Sequence, residues 1–368
     1  MPFSNFTNLD FDQIKTSIKD YLRANSNFTD FDFDGSNFSV LIDTLAYNTY
    51  ITAFNSNMIV NESFLDSATL RENVVSLSGN IGYTPRSRTA ANAQISFDAE
   101  IDGNVSTVTL QPGIVCTGDI DNETYTFAIT EKINANVIDG VAKFENINVY
   151  QGTYLEKQFT YDGSLDQRFI LDNSFIDTSK IVVYVKNSTD TTDGIQYSLV
   201  NDIITIDSNS KIFLIKEIQD EKYELKFGDG FFGKKLGEEP GSDGNIITVK
   251  YITTDGEDGN GAQRFTFSGR ITDTNKVAVT LKSTPEIPSE SVVKSQNGGN
   301  IESIDSIKYF SPLLYSSQNR AVTSDDYRSI ILRNFSNISS ISTWGGEDND
   351  PVDFGRVYIS IKPLTADL

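Results

Sequence analysis

The sequence predicts an α+β protein with an N-terminal helical segment, a large β-rich middle body and a small C-terminal α/β unit that we expect to be incomplete. Apolar residues recur at helical spacing through about the first 85 residues. From about residue 90 they alternate with polar residues, in runs rich in Val, Ile, Thr and aromatics between glycine turns. We therefore predict a helical assembly segment at 1–88, a β-rich body at 89–281, a linker at 282–300 and an α/β unit at 301–368.

Three helices are predicted in the first segment. Asp10 is the candidate cap of the first, whose apolar positions follow the i, i+4, i+7 rule. The second spans about 37–60 and the third about 63–80, where glycines and Pro85 end it. Both longer helices are apolar around more than one face, which is typical of a helix buried in its own core or against a partner.

The β-rich body is predicted from period-two alternation. Asp139-Gly140 is a two-residue hairpin signal between two such runs. The predicted strands are 94–101, 106–110, 124–129, 133–138, 141–144, 181–186, 203–206, 211–215, 223–227 and 246–253.

The last part of the chain follows a stretch, 282–300, whose prolines and glycines indicate a linker. Thr323 and Asp326 form a capping box for one helix, and 357–361 alternates like a strand. One helix with one or two strands cannot close a sheet alone. We therefore expect the native chain to continue, or a partner to complete this unit.

The composition excludes many catalytic devices. The chain has 51 Asp+Glu, 30 Lys+Arg and no histidine, a formal net charge of −21, and its one cysteine is Cys116. Histidine-based triads and zinc sites are therefore excluded, as are an intramolecular disulfide and an iron–sulfur centre. The acidity argues against sequence-independent nucleic-acid binding, which needs cations against phosphates. No secretory signal or membrane-spanning run is visible, so a soluble product is expected.

Two motifs deserve comparison with known binding sites. Gly228, Gly230 and Gly233 spell G-x-G-x-x-G after a predicted strand, but the glycines and proline that follow exclude the helix a dinucleotide site needs. We interpret them as a turn between strands. The segment 30–35 places Asp30, Asp32, Asp34 and Gly35 at the first positions of a calcium loop, yet its twelfth position is Leu41 instead of Glu. We interpret it as a lead-in to the following helix, with no metal or cofactor.

Other candidates for chemistry are weaker. The pairs Glu238-Glu239 and Glu347-Asp348 lie in polar, glycine-bearing segments without an aromatic sugar platform. Cys116 lies in an apolar strand, which indicates a small buried residue instead of a nucleophile. No catalytic residue is therefore predicted.

Several segments, in order along the chain, together resemble the baseplate wedge (baseplate J-like) family of contractile-tailed bacteriophages. The resemblance covers about residues 35–364 and is carried by 41–48, 61–68, 82–86, 227–233, 246–251, 256–261, 302–304, 311–312, 320–323, 326–327 and 344–348.

The resemblance implies a structural, non-enzymatic subunit of a myovirus tail. It implies a virion baseplate location after assembly in the host cytoplasm, a homodimer within each wedge, and contacts with other wedge subunits, neighbouring wedges and hub or sheath-proximal proteins. It implies no nucleic-acid or membrane partner. The helical segment would form the interface, for which we predict Phe38, Leu41, Leu45, Tyr47, Phe54, Met58, Phe64 and Leu65.

Two other functions stay open at this point. A β-rich tail adhesin or glycan-binding module would explain the β-rich body, although no fixed-period repeat is visible. A carboxylate glycosidase or cell-wall-cleaving enzyme would use one of the many acid pairs.

Overall fold

The fold was taken from a computed structural model, which describes residues 10–25, 36–103, 105–164, 166–187, 194–200, 206–237, 244–318, 320–335 and 338–363. The chain divides into two compact units. A helical unit comprises 1–84 and 303–318, and a β-rich unit comprises 85–302 and 319–368. The predicted α+β class, with its N-terminal helices, β-rich body and C-terminal α/β segment, is confirmed.

The helices are α1 (Phe11–Asn25), α2 (Asn37–Glu62), α3 (Arg71–Asn80), α4 (Ile304–Ser317) and α5 (Ser324–Asn334). The strands are β1 (Asn92–Asp102), β2 (Thr107–Leu110), β3 (Gly113–Ile120), β4 (Glu123–Ile129), β5 (Ile133–Ile138), β6 (Val141–Gln151), β7 (Thr153–Thr160), β8 (Phe169–Leu171), β9 (Val182–Lys186), β10 (Ile195–Leu199), β11 (Ile212–Ile218), β12 (Lys222–Phe227), β13 (Ile246–Thr253), β14 (Arg264–Phe267), β15 (Ile271–Thr272), β16 (Thr280–Leu281), β17 (Val293–Gln296), β18 (Ile338–Gly345) and β19 (Val357–Pro363).

The helical unit has a small core that α3 and α4 build together. Ala68, Val74 and Tyr83 are buried against Ile307 of α4, and Leu65 and Leu77 pack around them. The Lys308 ammonium donates a 3.1 Å hydrogen bond to the carbonyl of Asp66. The predicted 301–368 unit is thus divided in the structure. Residues 303–318 belong to the helical unit, because α4 buries its apolar side among the N-terminal helices, and residues 319–368 belong to the β-rich unit.

The first sheet of the β-rich unit has ten strands, and the pairs that these strands form are antiparallel. Its order is β14-β3-β4-β6-β5-β2-β15, and β1 pairs with β6, β16 and β17. The core beneath it includes Phe127 and Phe144, both almost completely buried, and the ring of Phe97 stacks 5.0 Å from that of Phe144. The prediction of a simple linker at 282–300 is wrong for its second half, because β17 joins β1 and buries Ser295.

The second sheet has seven strands in the order β7-β13-β9-β10-β11-β12-β8, and only β10 and β11 run parallel. Phe213, Leu225 and Ile247 form its core. Asp177, between β8 and β9, contacts the segment before β1, because its carboxylate accepts a 2.8 Å hydrogen bond from the backbone N–H of Ala90. It also accepts a local 2.9 Å hydrogen bond from the backbone N–H of Ser179. The predicted strand at 203–206 falls almost entirely outside the described residues.

The C-terminal part of the β-rich unit is α5 with the hairpin β18–β19. The predicted capping box is confirmed: Thr323 and Asp326 exchange side-chain-to-backbone hydrogen bonds. The Thr343 hydroxyl of β18 donates a 2.7 Å hydrogen bond to the carbonyl of Ser324 at the start of α5. This two-stranded sheet is small, as the sequence predicts.

Candidate assembly surface

The candidate functional site is helix α2. Its N-cap and the helix-forming residues that follow explain why this segment is helical. Ser36 has extended backbone angles and its hydroxyl accepts a 3.0 Å hydrogen bond from the N–H of Ser39, which satisfies one free donor of the first turn. The 26 residues that follow contain no glycine or proline. The helix ends at Glu62, where Ser63 caps it.

The face that α2 buries within the helical unit is narrow and mostly polar. Its five buried residues are Ser39, Ile42, Ala46, Asn57 and Asn61. Only two of the five are apolar, so most of the apolar side chains of this helix point elsewhere. Helix α1 packs on α2, and the Lys15 ammonium lies 2.6 Å from the Asp43 carboxylate.

The exposed apolar side chains of α2 form two stripes, which we call together the α2 surface. The first stripe is spaced as the core positions of a coiled coil, at intervals of seven, four and three residues. It consists of Val40, Tyr47, Ile51 and Phe54, which are 62%, 60%, 37% and 48% exposed. The second stripe is Phe38, Leu41 and Leu45.

Exposure on this scale has an energetic consequence. Complete burial of a large apolar side chain contributes about 1.5–3 kcal/mol. Each side chain that is about half exposed can therefore contribute on the order of 1 kcal/mol of further burial free energy when a contact outside the unit covers it. Exposed apolar stripes of this kind are typical of a surface that another chain covers.

The turn after α2 is fixed by Glu62. Its carboxylate accepts hydrogen bonds from the Thr69 N–H (2.8 Å), the Thr69 hydroxyl (2.6 Å) and the Asn73 amide (2.7 Å). Desolvation by itself raises the pKa of Glu62, but the hydrogen bonds outweigh it and lower the pKa to about 2. Glu62 therefore fixes how α3 follows α2.

The predicted interface residues divide between exposed and half-buried positions. Met58 and Leu65 are half-buried, and Leu65 packs on the core of the helical unit. The other six are exposed: Phe38, Leu41, Leu45, Tyr47, Phe54 and Phe64. Val40, Ile51 and Ile59 of α2 are exposed as well but are not among the predicted residues, although their spacing along the helix could have indicated them.

The glycine motif of the second sheet is a turn. Gly228 bridges to Lys235, and the Asp229 carboxylate accepts hydrogen bonds from the N–H groups of Phe231 (2.9 Å) and Phe232 (2.8 Å). No helix follows within the described part of this loop, up to residue 237.

Other candidates from the sequence show no catalytic arrangement. Cys116 is fully buried, and burial raises the pKa of its thiol to about 12, so it is not a thiolate nucleophile at neutral pH. Glu347 and Asp348 lie in a short 3-10 helix after β18. Residues 30–35 and 238–239 lie outside the described part of the chain.

The described residues contain neither a metal-binding cluster nor a membrane-spanning helix. No group of three or more His, Cys, Asp or Glu side chains there is arranged to hold a metal ion. None of the helices described is both long and apolar enough to cross a membrane.

Two protein-family models match the ends of this chain. The model for the helical domain of gp6-like baseplate wedge proteins matches residues 10–83, which contain α1, α2 and α3. The model for C-terminal domain I of the baseplate structural protein gp6 matches residues 323–368. The α2 surface therefore lies in a segment that resembles the helical domain of baseplate wedge proteins.

The similarity also extends over the whole chain. Over 368 residues, the chain is 28% identical to baseplate wedge protein gp6 of Enterobacteria phage T4, covering 96% of this chain and 54% of the relative. The chain thus spans about half the length of that curated relative. The chain is therefore similar to baseplate wedge proteins, and the narrower baseplate J-like assignment stays a prediction.

A solved structure is also similar, at a low level. It is the baseplate of the anti-feeding prophage, determined by cryo-electron microscopy, with a TM-score of 0.30 and 12% identity over 95% of this chain and 68% of the other. A TM-score this low supports no further conclusion.

Proposed function

We propose that the chain is a structural subunit of a phage tail baseplate wedge and that it carries out no catalysis. The two family matches and the relative from phage T4 support this role. We place the subunit in the tail baseplate of the virion and, during assembly, in the host cytoplasm. It would act by shape and contact, in agreement with a chain that has no histidine and a buried thiol.

Within the wedge, we propose that two copies of the chain dimerise through the α2 surface. The observation that carries this proposal is the exposure of both apolar stripes of α2, whose buried face holds only two apolar residues. Pairing two such helices would cover the coiled-coil-like stripe of Val40, Tyr47, Ile51 and Phe54. Isologous pairing of one surface on two copies is the commonest way in which proteins dimerise.

We propose that the rest of the subunit joins other wedge proteins, neighbouring wedges and proteins near the hub or sheath. In this role the β-rich unit is a rigid spacer that the dimer presents to its neighbours. A baseplate built from such wedges would trigger sheath contraction by a change of shape.

The test is to place a charge on the α2 surface. Leu45→Glu and Phe54→Glu should each weaken dimerisation at least a hundredfold, because a buried unpaired carboxylate costs several kcal/mol. Sedimentation velocity over a concentration series measures the effect. Ser17→Glu, at an exposed polar position of α1, is the control for added charge and should dimerise normally.

Two results would contradict the proposal. If both variants retain their folded β-rich unit and sediment like the unmodified chain, α2 is not the dimer interface. A chain that is monomeric at every concentration, and that shows hits on a glycan array, would favour the adhesin.

A further inference from the structure

The β-rich unit contains a cleft of about 630 Å³, a volume in the range of ligand-binding sites. Its floor is the outward face of the second sheet, where alternate residues of β7, β13, β9 and β10 point into the cleft. Glu156 and Lys250 are direct cross-strand neighbours there, and Tyr184 lies opposite both Thr248 and Gln196. Residues 130–132 and 273–276 contribute to its walls.

Four lysines converge on this cleft: Lys132, Lys186, Lys250 and Lys276. Three acids line it, Glu131, Glu156 and Asp273. Acidic residues outnumber basic ones by 51 to 30 in the whole chain, so the balance of charge in this cleft is the reverse of that of the chain. The cleft of this acidic protein thus presents more cationic than anionic side chains to a ligand.

Three of the four lysines have no acidic partner among the residues that the structure describes. Within the described part of the chain, no carboxylate lies within ion-pair distance of Lys132, Lys186 or Lys250. Lys186 and Lys250 are nevertheless half-buried, and the Lys250 ammonium lies 5.2 Å from the centre of the Tyr184 ring. Partial desolvation of these cations is unfavourable, and an anion that binds between them would relieve it.

The uncharged lining indicates which anion fits. Gln158, Gln196 and Thr248 present amide and hydroxyl groups, which can pair with the N–H and C=O groups of a peptide. A nucleic-acid backbone is disfavoured, because a uniform row of phosphates would meet the three acids of the cleft in a chain of net charge −21. A polypeptide can place its carboxylates beside the lysines and its amides beside the acids.

We propose that this cleft is a binding site for an acidic segment of a polypeptide, held by its carboxylates against Lys132, Lys186 and Lys250. The cleft would accept such a segment whatever larger assembly the chain joins, because the α2 surface and the family matches play no part in it.

The experiment measures binding of a fluorescein-labelled peptide of about twelve alternating glutamate and serine residues to the full chain by fluorescence anisotropy at low salt. The triple variant Lys132→Gln, Lys186→Gln, Lys250→Gln should bind at least about tenfold more weakly, a loss of about 1.4 kcal/mol. The matched control is Lys143→Gln, Lys235→Gln, Lys294→Gln, which removes the same charge from exposed lysines outside the cleft and should bind nearly normally.

Three results would overturn the proposal. In the first, the peptide does not bind the full chain. In the second, both triple variants lose the same affinity for the peptide, which indicates general charge attraction. In the third, an oligothymidylate of similar length competes for the cleft more strongly than the peptide does, which would assign it to nucleic acid.

A second measurement does not depend on how the variants fold. The unmodified chain is treated with an amine-acetylating reagent, with and without the peptide, and the modified lysines are found by mass spectrometry. The peptide should protect Lys132, Lys186 and Lys250 at least several-fold, and Lys143, Lys235 and Lys294 not at all. Uniform protection, or none, contradicts the proposal.

Discussion

At the scale of single residues, Glu62 shows how one side chain fixes the geometry of two helices. Both of its oxygens accept hydrogen bonds from the first residues of the α3 region, which would otherwise have free donors. Negative charge near a helix N-terminus is also favourable because of the helix dipole. The lowered pKa of Glu62 reports the sum of these interactions.

We predict that Glu62→Gln destabilises the helical unit at neutral pH and removes part of its acid sensitivity. The folded-state pKa is about 2 and the ordinary value is 4.5, so ionised Glu62 stabilises the folded chain above pH 4.5. That contribution is lost as the pH falls from 4.5 toward 2. Urea unfolding followed by helical circular dichroism should show the largest difference between the two proteins at neutral pH.

The control for Glu62 is Glu72→Gln, at an exposed acid in the first turn of α3. This variant should cost only a few tenths of a kcal/mol, as is usual for a charge near a helix end. If the stability difference for Glu62→Gln stays constant from pH 7 to pH 2, the hydrogen bonds do not act through the ionised carboxylate.

The residue types of the candidate sites were visible in the sequence, but their exposure was not. The apolar content of 37–60 indicated two alternatives, burial in the chain's own core or against a partner, and periodicity cannot distinguish them. Lys132, Lys186 and Lys250 lie far apart in the sequence on different elements, so no spacing rule brings them together. Strand pairing places Lys186 and Lys250 on the neighbouring strands β9 and β13, and the tertiary fold brings Lys132, between β4 and β5 of the first sheet, to the same cleft.

At the scale of elements, α4 is the part of the fold that local sequence signals conceal. Ser303 caps it, with its hydroxyl accepting a hydrogen bond from the Ser306 N–H, but Pro312 lies within the helix and argues against one in a sequence-based prediction. Its packing against α3 is a contact between distant parts of the chain, which composition and periodicity do not encode. The capping box of α5 is entirely local and was therefore predicted correctly.

We predict that Ile307→Ala loosens α3 although the two lie on widely separated parts of the chain. Ile307 is completely buried among Ala68, Val74 and Tyr83, and such truncations cost about 2–5 kcal/mol. Amide hydrogen exchange, read by mass spectrometry, should become faster in residues 71–83. Exchange in the core strands of the β-rich unit should stay the same.

Tyr315→Ala is the matched truncation, because Tyr315 belongs to the same helix and is 67% exposed. It should leave the exchange of α3 unchanged. If Ile307→Ala also leaves that exchange unchanged, α4 does not support α3 in solution.

At the scale of the whole molecule, charge and apolar surface act in opposite directions. Two copies of a chain of net charge −21 repel each other over long distances, whereas the α2 surface attracts at contact. Repulsion of this kind disfavours non-specific association. Only complementary surfaces, whose attraction at contact exceeds the repulsion, then form a complex. Added salt therefore offers a way to separate the two effects.

We predict that salt strengthens dimerisation. Raising sodium chloride from about 20 mM to about 300 mM shortens the screening length from roughly 20 Å to roughly 6 Å, which weakens the repulsion between copies. The dimer dissociation constant from sedimentation equilibrium should fall several-fold. Leu45→Glu should stay monomeric throughout, and a dimer that salt weakens would indicate attraction between opposite charges instead.

The division of the helical unit into two stretches has a consequence for the timing of synthesis. About 220 residues separate Thr84 from the start of α4, and the β-rich body lies between them. Ribosomes add about 5–20 residues per second, so α3 waits on the order of ten to forty seconds for Ile307 to emerge. Throughout that interval Ala68, Val74 and Tyr83 are not covered by Ile307, so the unfinished core of the helical unit stays open to non-native contacts until α4 emerges.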